Sequence, residues 1–566
     1  MPALFVYCWT VYYNSDYAMI GLMARGVLHH GERPIHVWTV GYQGILFEVY
    51  AVAAAFKLWG ESPRVLHLVP WAVFLIFLGF YYRSVKESLG TRLASLALLF
   101  VLISTPTVYG LVLRTQPNYG EVFVLGTALM LAYSWFLRRH YVEGRHWDRR
   151  SWAGCALMGF LCGFGMYTYG QMAFFIAAVG CHGLMVLARE ASMPLLKPWP
   201  LALAAAVVLF GALSWVTGIH RIEVGALRVG WEPFSTLRFA VKLWALALML
   251  KVCWIARSQL KARRKILVLA SLAFIMGALT GFAPELYARL VLKVWTYDRS
   301  RMGVGFGEFL THMRWAAQAL AQFFNAGLTP GIVPDFWGDP RPWVPKALTA
   351  PLALFWALAA LGGAALMVST AAAFIRGRVG KSAVLSLSPL VFLPLPVLLS
   401  FGLAPTVMGY PNTRYLTVML LAVALYSAHF VMWVLDRGRR SQIRAVWAVV
   451  LLVFLNNGAA IGAKLAQHRT PHPLEDVAAY LEGRSVERGY AGFWEAYALT
   501  FLAKEKIILE PTESNLNPRY GPLVLAARRV AFVAPEGAPF PLGNRFKIQE
   551  QAPVNGFSVM ILERQK

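Results

Sequence analysis

Acidic residues are scarce in this chain, 28 Asp and Glu against 53 Lys and Arg in 566 residues. Three of them stand at the ends of apolar runs. Asp16 follows the short run 1–13, within Asn14-Ser15-Asp16-Tyr17. Glu48 closes Gly41-Tyr42-Gln43-Gly44-Ile45-Leu46-Phe47-Glu48, and Glu121 closes Arg114-Thr115-Gln116-Pro117-Asn118-Tyr119-Gly120-Glu121. A carboxylate at a membrane edge is costly and tends to mark a functional site. Asp16 is of the type that orients or deprotonates a hydroxyl as a general base. It also fits a plainer role, accepting backbone N–H bonds at the start of a helix, and the two are compatible. Glu48 reads as a second acid of the same site, as a metal ligand paired with Asp16, or as a structural partner of an arginine. Glu121 reads as a helix cap, where negative charge meets the dipole, or as a partner of Arg114.

Basic residues supply the complement. Lys293, Arg299 and Arg301 surround Trp295-Thr296-Tyr297-Asp298, and Arg414-Tyr415 follow Gly409-Tyr410-Pro411-Asn412-Thr413. Guanidinium and ammonium groups here suit a phosphate; a solvated loop is the plainer reading for the first three. An arginine entering a span must face a cavity or a partner, and a phosphate or Asp16 would serve Arg414. Tyr42, Gln43 and Arg114 stand close enough in sequence to support the site. Other chemistries find no pattern. His29, His30, His36, His468 and His472 lack zinc spacing. Cys8, Cys155, Cys162, Cys181 and Cys253 all fall in apolar runs, with no CxxC, and read as packing residues. Gly303–Gly307 matches no phosphate-binding loop. An activated group would therefore arrive on a lipid, not on a nucleotide.

The elements that must position these residues belong to a membrane. Hydrophobic residues make up 58% and charged residues 14%, against about 25% charged in soluble domains. Aromatic residues, 14%, suit interfacial belts. The net charge of +25 sits in short clusters between apolar runs, as in cytoplasmic loops, which argues against nucleic acid as a partner. Residues 1–13 lack a basic leader and a small-residue cleavage site, so no cleavable signal is expected. They are also shorter than the ~20 residues of a spanning helix.

Apolar runs of spanning length fall at 1–13, 65–82, 93–110, 121–137, 152–169, 171–188, 200–217, 237–256, 266–283, 347–375, 383–402, 414–435 and 445–463. The stretch 43–59 is apolar but carries Glu48 and Lys57, and is expected to lie along the membrane surface. Arginines then alternate. Loops holding Arg83, Arg138, Arg150, Arg189, Arg263, Arg376 and Arg439 are rich and therefore cytoplasmic. The first loop (14–64), a long loop (284–345) with a helix at 309–324, and the tail share the outer side. In the tail, 506–509, 530–533 and 558–562 read as strands, and 471–481 and 493–504 as helices. The expected fold is thus an all-α polytopic membrane protein of about 13 spans, residues 1–463, with a small α/β domain over 464–566.

Several motifs resemble those of a known family. Asn14-Ser15-Asp16-Tyr17-Ala18 through Gly21-Leu22-Met23-Ala24-Arg25, with Gly41-Tyr42-Gln43-Gly44 through Glu48, resembles the first outer loop of the GT-C glycosyltransferases. The branch it resembles is the bacterial family-39-like one, which includes protein mannosyltransferases and the lipid A aminoarabinose transferase. Thr413-Arg414-Tyr415-Leu416 resembles that branch's late helix start. Arg488-Gly489-Tyr490-Ala491, Phe493-Trp494-Glu495-Ala496-Tyr497 and Leu499-Thr500-Phe501 resemble its outer tail domain. The resemblance implies a bacterial inner-membrane enzyme, its active site facing the periplasm. Such an enzyme moves a sugar from polyprenyl phosphate to a lipid, glycan or protein acceptor, amid membrane lipids. It implies Asp16 as the catalytic residue, with Glu48 matching a glutamate beyond the turn. Many relatives carry a second acid beside the first. Here Tyr17 occupies that place, which leaves a divalent cation (Mg or Mn) an open expectation and no cofactor certain. A flippase for a lipid-linked saccharide, or a non-catalytic scaffold, would use the same spans.

Overall fold

The computed structural model describes residues 15–38, 44–113, 119–190, 221–224, 227–230, 264–293, 306–324, 346–402, 415–467, 472–513, 517, 519–541 and 545–565. In chain order the helices are α1 (Ser15–His30), α2 (Leu46–Trp59), α3 (Pro63–Leu89), α4 (Thr91–Leu102), α5 (Pro106–Val112), α6 (Tyr119–Leu137), α7 (Arg149–Thr168) and α8 (Met172–Glu190). There follow α9 (Arg264–Leu290), α10 (Phe306–Phe324), α11 (Lys346–Ile375), α12 (Pro394–Gly402), α13 (Met419–Arg437) and α14 (Arg440–Gln467). The tail adds α15 (Pro473–Gly483), α16 (Phe493–Leu502) and α17 (Tyr520–Ala526).

Among the described residues, six helical stretches are long and apolar enough to cross a membrane: 63–89, 119–142, 268–290, 354–375, 415–437 and 440–463. The chain is a multi-pass membrane protein. The runs expected at 1–13, 200–217 and 237–256 lie outside the described residues. Two expected spans are broken where the sequence carries prolines. The run 93–110 divides into α4 and α5 at Ile103-Ser104-Thr105-Pro106, and Ser104 Oγ donates to the Val101 carbonyl at 2.7 Å. The run 383–402 becomes 3₁₀ turns Lys381–Val384 and Pro389–Phe392, followed by α12. Prolines 389, 394 and 396 each remove a backbone N–H, and Ser388 before Pro389 leaves the helical region, at φ −51° and ψ 141°. The opposite occurs at Pro284. The span placed at 266–283 runs on through it to Leu290, because proline is tolerated inside a helix packed among others in the bilayer. Glu285 is thereby helical. The stretch 43–59 forms the 14-residue α2, too short to span.

The closest helix pair is α7 with α9. A Cβ on Gly159 would lie 1.9 Å from the Phe274 carbonyl oxygen, and one on Gly163 2.0 Å from that of Ala278. Reciprocally, a Cβ on Gly277 would meet the Ala156 oxygen at 2.0 Å and one on Gly281 the Phe160 oxygen at 2.4 Å. Each helix thus carries glycines four apart on one face, the pattern that lets two membrane helices touch backbone to backbone. The pattern stands in the sequence as Gly159-Phe160-Leu161-Cys162-Gly163 and Gly277-Ala278-Leu279-Thr280-Gly281, and the span count alone does not bring it out.

Strands β1 (Arg221–Val224) and β2 (Leu227–Gly230) form an antiparallel pair, and the tail folds around a sheet of order β4-β3-β5-β7-β6: β3 (Arg488–Ala491), β4 (Ile508–Pro511), β5 (Arg529–Pro535), β6 (Phe546–Val554) and β7 (Phe557–Arg564). Strand β3 pairs in parallel with β4 and β5, the crossovers being α16 and α17, while β7 runs antiparallel to β5 and β6. Central β5 is buried from Val530 to Ala534, as its unbroken apolar run requires. The strands expected at 506–509, 530–533 and 558–562 are β4, β5 and β7, and the helices at 471–481 and 493–504 are α15 and α16. Two strands escape the pattern: β3 is four residues long, and edge strand β6 is mostly polar and exposed.

Gly163→Ala is expected to cost about 1–3 kcal/mol, since the α7 and α9 backbones must part. Gly180→Ala in α8, with nothing within 4 Å of its Cβ, is expected to be neutral or stabilising by up to about 1 kcal/mol. Thermal loss of the monodisperse peak in detergent compares the two; equal behaviour would contradict the packing.

Candidate functional site

One corner of the bundle joins three of the segments singled out above, those of Glu48, Glu121 and Tyr415. It is the turn between α7 and α8, Tyr167-Thr168-Tyr169-Gly170-Gln171. The Gly44 N–H donates to the Thr168 carbonyl at 3.3 Å. A Cβ on Gly44 would lie 2.6 Å from the Tyr167 carbonyl oxygen, so the turn before Glu48 seats here only as glycine. Tyr169 stacks at a tilt on Tyr119, ring centroids 5.7 Å apart, two residues before Glu121. Gln171 Nε2 donates to the Tyr415 carbonyl at 3.4 Å. The corner thus joins the segments bearing Glu48, Glu121 and Tyr415.

The loop above the corner is pinned at both ends. His36 pairs with Gly44 as an isolated bridge, and the Ile45 N–H donates to the Ile35 carbonyl at 3.1 Å. The Tyr167 hydroxyl donates to the Ile35 carbonyl. His36 Nε2 lies 2.7 Å from Glu285 Oε2, and the other Glu285 oxygen accepts from Arg289 Nε at 2.7 Å. Both His36 and Glu285 side chains are below a tenth exposed. Glu285 reaches the loop only because α9 continues past Pro284, set in height by its glycine contact with α7.

Glu48 is 3% exposed and Glu121 8%. Glu48 Oε2 makes no hydrogen bond among the described residues, and no arginine there pairs with it. Burial holds the Glu48 carboxyl well above its ordinary value of 4.5, and the Glu121 carboxylate adds to the rise. Both effects favour the protonated form of Glu48, which can donate a hydrogen bond. Glu121 lies in the first turn of α6, where the helix dipole favours its negative form. Among the described residues, no group of three or more His, Cys, Asp or Glu is placed to hold a metal.

Asp16 sits in the first turn of α1, inside the helix and half-buried. Its neighbour Ser15 donates to the Phe493 carbonyl at the start of α16. Helix α1 runs parallel to α16. Gly21 meets the Phe501 ring, and Arg25 Nη2 donates to the Lys504 carbonyl at 3.0 Å. Arg25 also binds Glu61 at 2.7 Å and Glu505 at 3.4 Å, and Arg519 binds Glu32 at 2.5 Å. Trp38 packs on Tyr497 and Tyr520, and Phe56 stacks on Phe501. The first loop and the tail therefore share one hydrophobic core.

Of the other expected site residues, Lys293 is exposed just beyond α9 with φ 53°, and Tyr415 opens the turn leading into α13. Tyr42, Gln43, Arg114, Arg299, Arg301 and Arg414 lie outside the described residues. The sequence reading missed His36, Tyr167, Gln171 and Glu285. Their signal was a polar Tyr-Thr-Tyr-Gly-Gln step between two apolar runs on the acid-bearing side, and an acid one residue after a presumed helix-ending proline.

Fold and site together define a multi-pass membrane protein with two buried acids beneath a first loop that a C-terminal sheet domain covers. Residues 46–216 match the family model described as dolichyl-phosphate-mannose-protein mannosyltransferase. The match begins two residues before Glu48 and takes in Glu121 and the α7–α8 corner. It bears out the resemblance to the GT-C glycosyltransferases. No curated protein matches the chain in sequence. Among solved structures, the chain is similar to the Archaeoglobus fulgidus oligosaccharyltransferase in complex with Zn and sulfate, at 12% identity over 92% of this chain and 64% of that one, TM-score 0.45. The oligosaccharyltransferase AglB of the same organism, with an inhibitory peptide and a dolichol-phosphate, shows 13% identity over 92% and 66%, TM-score 0.47. ArnT from Cupriavidus metallidurans bound to undecaprenyl phosphate shows 12% identity over 99% of this chain and 96% of that one, TM-score 0.36. The chain spans 64–66% of the length of the oligosaccharyltransferases it matches.

The Glu48 pKa is raised on folding. Its stabilising contribution is therefore complete below 4.5 and is lost as pH rises through the folded value. Relative to Glu48→Gln, the wild-type protein is expected to lose thermal stability progressively above about pH 4.5. Parallel melting curves of the two proteins across that range would refute the dry pair.

Proposed function

We propose that the chain is a glycosyltransferase that takes a sugar from a polyprenyl-phosphate donor and passes it to an acceptor on the tail side of a bacterial inner membrane. The observation that carries this reading is the family match over residues 46–216, which coincides with the segment whose carboxylates and corner residues converge. The full reading includes about 13 spans, an inner N-terminus, an outer tail, and division into a catalytic portion over 1–463 and a covering domain over 464–566.

In the proposed reaction the acceptor hydroxyl attacks the anomeric carbon. Its proton passes to Asp16, and the bond from that carbon to the phosphate oxygen breaks. Polyprenyl phosphate leaves with the electron pair. Lys293, Arg299, Arg301 and Arg414 neutralise the charge that gathers on the phosphate, with Tyr415, Tyr42, Gln43 and Arg114 in support. Glu48, holding its proton, donates a hydrogen bond to the sugar or the leaving oxygen, and Glu121 keeps that proton in place.

Asp16→Asn tests the central role. Removal of a general base is expected to lower release of polyprenyl phosphate by about 10²–10⁴-fold, while insertion and the detergent elution profile stay unchanged. Turnover at the wild-type rate would remove Asp16 from the mechanism. Movement of the intact labelled donor across the membrane, without release of the phosphate, would make the protein a flippase instead.

A further inference from the structure

The end of the bundle opposite the tail holds a cavity of about 810 Å³ between α3, α6 and α7. That size falls within the range of ligand sites, about 300–1,000 Å³. Its wall is hydrocarbon, from Phe80, Leu131 and Leu157. Its rim is charged, with Arg83, Arg138 and Arg150 facing the single acid Glu87. Three cations against one anion leave the rim doubly positive.

The arginines are not equivalent. Arg138 is committed, since its Nη1 pairs with Glu87 Oε2 at 2.7 Å and its Nη2 donates to the Glu87 carbonyl at 2.6 Å. It fixes the rim. Arg83 reaches Glu87 only at 3.9 Å, with its side chain 70% exposed, and Arg150 is exposed. Both have donors to spare. Trp135 and Leu157 are 40% and 50% exposed at the cavity mouth. Gly154 keeps the indole in place, since a Cβ there would lie 2.8 Å from the Trp135 ring.

We propose that this cavity is a specific site for an anionic glycerophospholipid of the arginine-rich leaflet. Its phosphate binds Arg83 and Arg150, and an acyl chain lies against Phe80, Leu131 and Leu157. Charge and polarity together select this occupant. A soluble anion would satisfy the rim and leave the hydrocarbon wall wet. A zwitterionic lipid would bring an ammonium among arginines. Basic pockets between spanning helices on the positive side are where acidic headgroups bind. The site is separate from the proposed donor site, since Arg83 stands 20 residues along α3 from Pro63 at its tail-side end, about 30 Å away.

Native mass spectrometry of the delipidated full-length protein tests this, with phosphatidylglycerol and phosphatidylcholine of matched chains as probes. The expected result is preferential retention of phosphatidylglycerol by about tenfold or more, as two exposed arginines would give. Arg83→Gln combined with Arg150→Gln should bring the ratio near one. Arg83→Lys with Arg150→Lys should keep it, and Leu157→Trp should reduce uptake of both lipids. Equal uptake of the two headgroups by the wild-type protein would overturn the proposal, as would a preference that survives in the glutamine pair. Thermal protection by inorganic phosphate equal to that by phosphatidylglycerol would overturn the lipid assignment, and so would displacement of phosphatidylglycerol by equimolar polyprenyl phosphate.

Discussion

The contact that the rest of the structure depends on is the backbone-to-backbone approach of α7 and α9. In a bilayer, helices gain nothing by hiding apolar surface from lipid, so close packing must hold them together. Gly159, Gly163, Gly277 and Gly281 remove the side chains that would keep the two backbones apart. Because each glycine meets a particular carbonyl on the other helix, the contact also sets their relative height. That height brings Glu285 at the outer end of α9 to His36, and the α7–α8 corner under the first loop. A shift by one helical turn would move Glu285 by about 5.4 Å and break the His36 pair.

On this platform the first loop acts as a middle layer. Its lower side rests on the corner through Gly44, Ile35 and His36, and its upper side is buried by the tail through Ser15, Gly21, Trp38 and Phe56. Neither layer is stable in water alone, since each would expose an apolar face. Covering the loop also dries it. The raised pKa of Glu48 follows from that burial first and from Glu121 second. The salt-bridged seam of Arg25 and Arg519 with Glu32, Glu61 and Glu505 closes the outer edge. Arg25 is almost wholly buried, so loss of any partner would leave charge unpaired in a poor solvent.

Legibility followed the strength of the local signal. Long uninterrupted apolar runs such as those of α3, α6 and α11 came out at the right places, because twenty apolar residues in a row leave few alternatives. Prolines were misjudged in both directions at two runs: 383–402 breaks, whereas 266–283 continues through Pro284 just beyond it, and Pro70 is likewise carried inside α3. Whether a proline ends a helix depends on which neighbours can satisfy the freed carbonyl, and that is not local information. Strand β5 was legible from its run of buried apolar residues. Edge strand β6, with half its side chains in water, carries no such pattern.

The sequence by itself determined the membrane class, a stretch at 43–59 that does not span, the small sheet domain, and the acids Asp16, Glu48 and Glu121 as the residues to watch. Those conclusions rest on composition, run length and the cost of charge at a membrane edge, all of which act locally. Only the tertiary structure decided which acids belong together. Glu48 had been read as a partner of Asp16 or of an arginine, and it is Glu121, 73 positions later in the chain, whose charge it meets. It also decided that the tail roofs the first loop. Such pairings arise from helix heights and from the burial of one apolar face by another, and spacing along the chain carries neither.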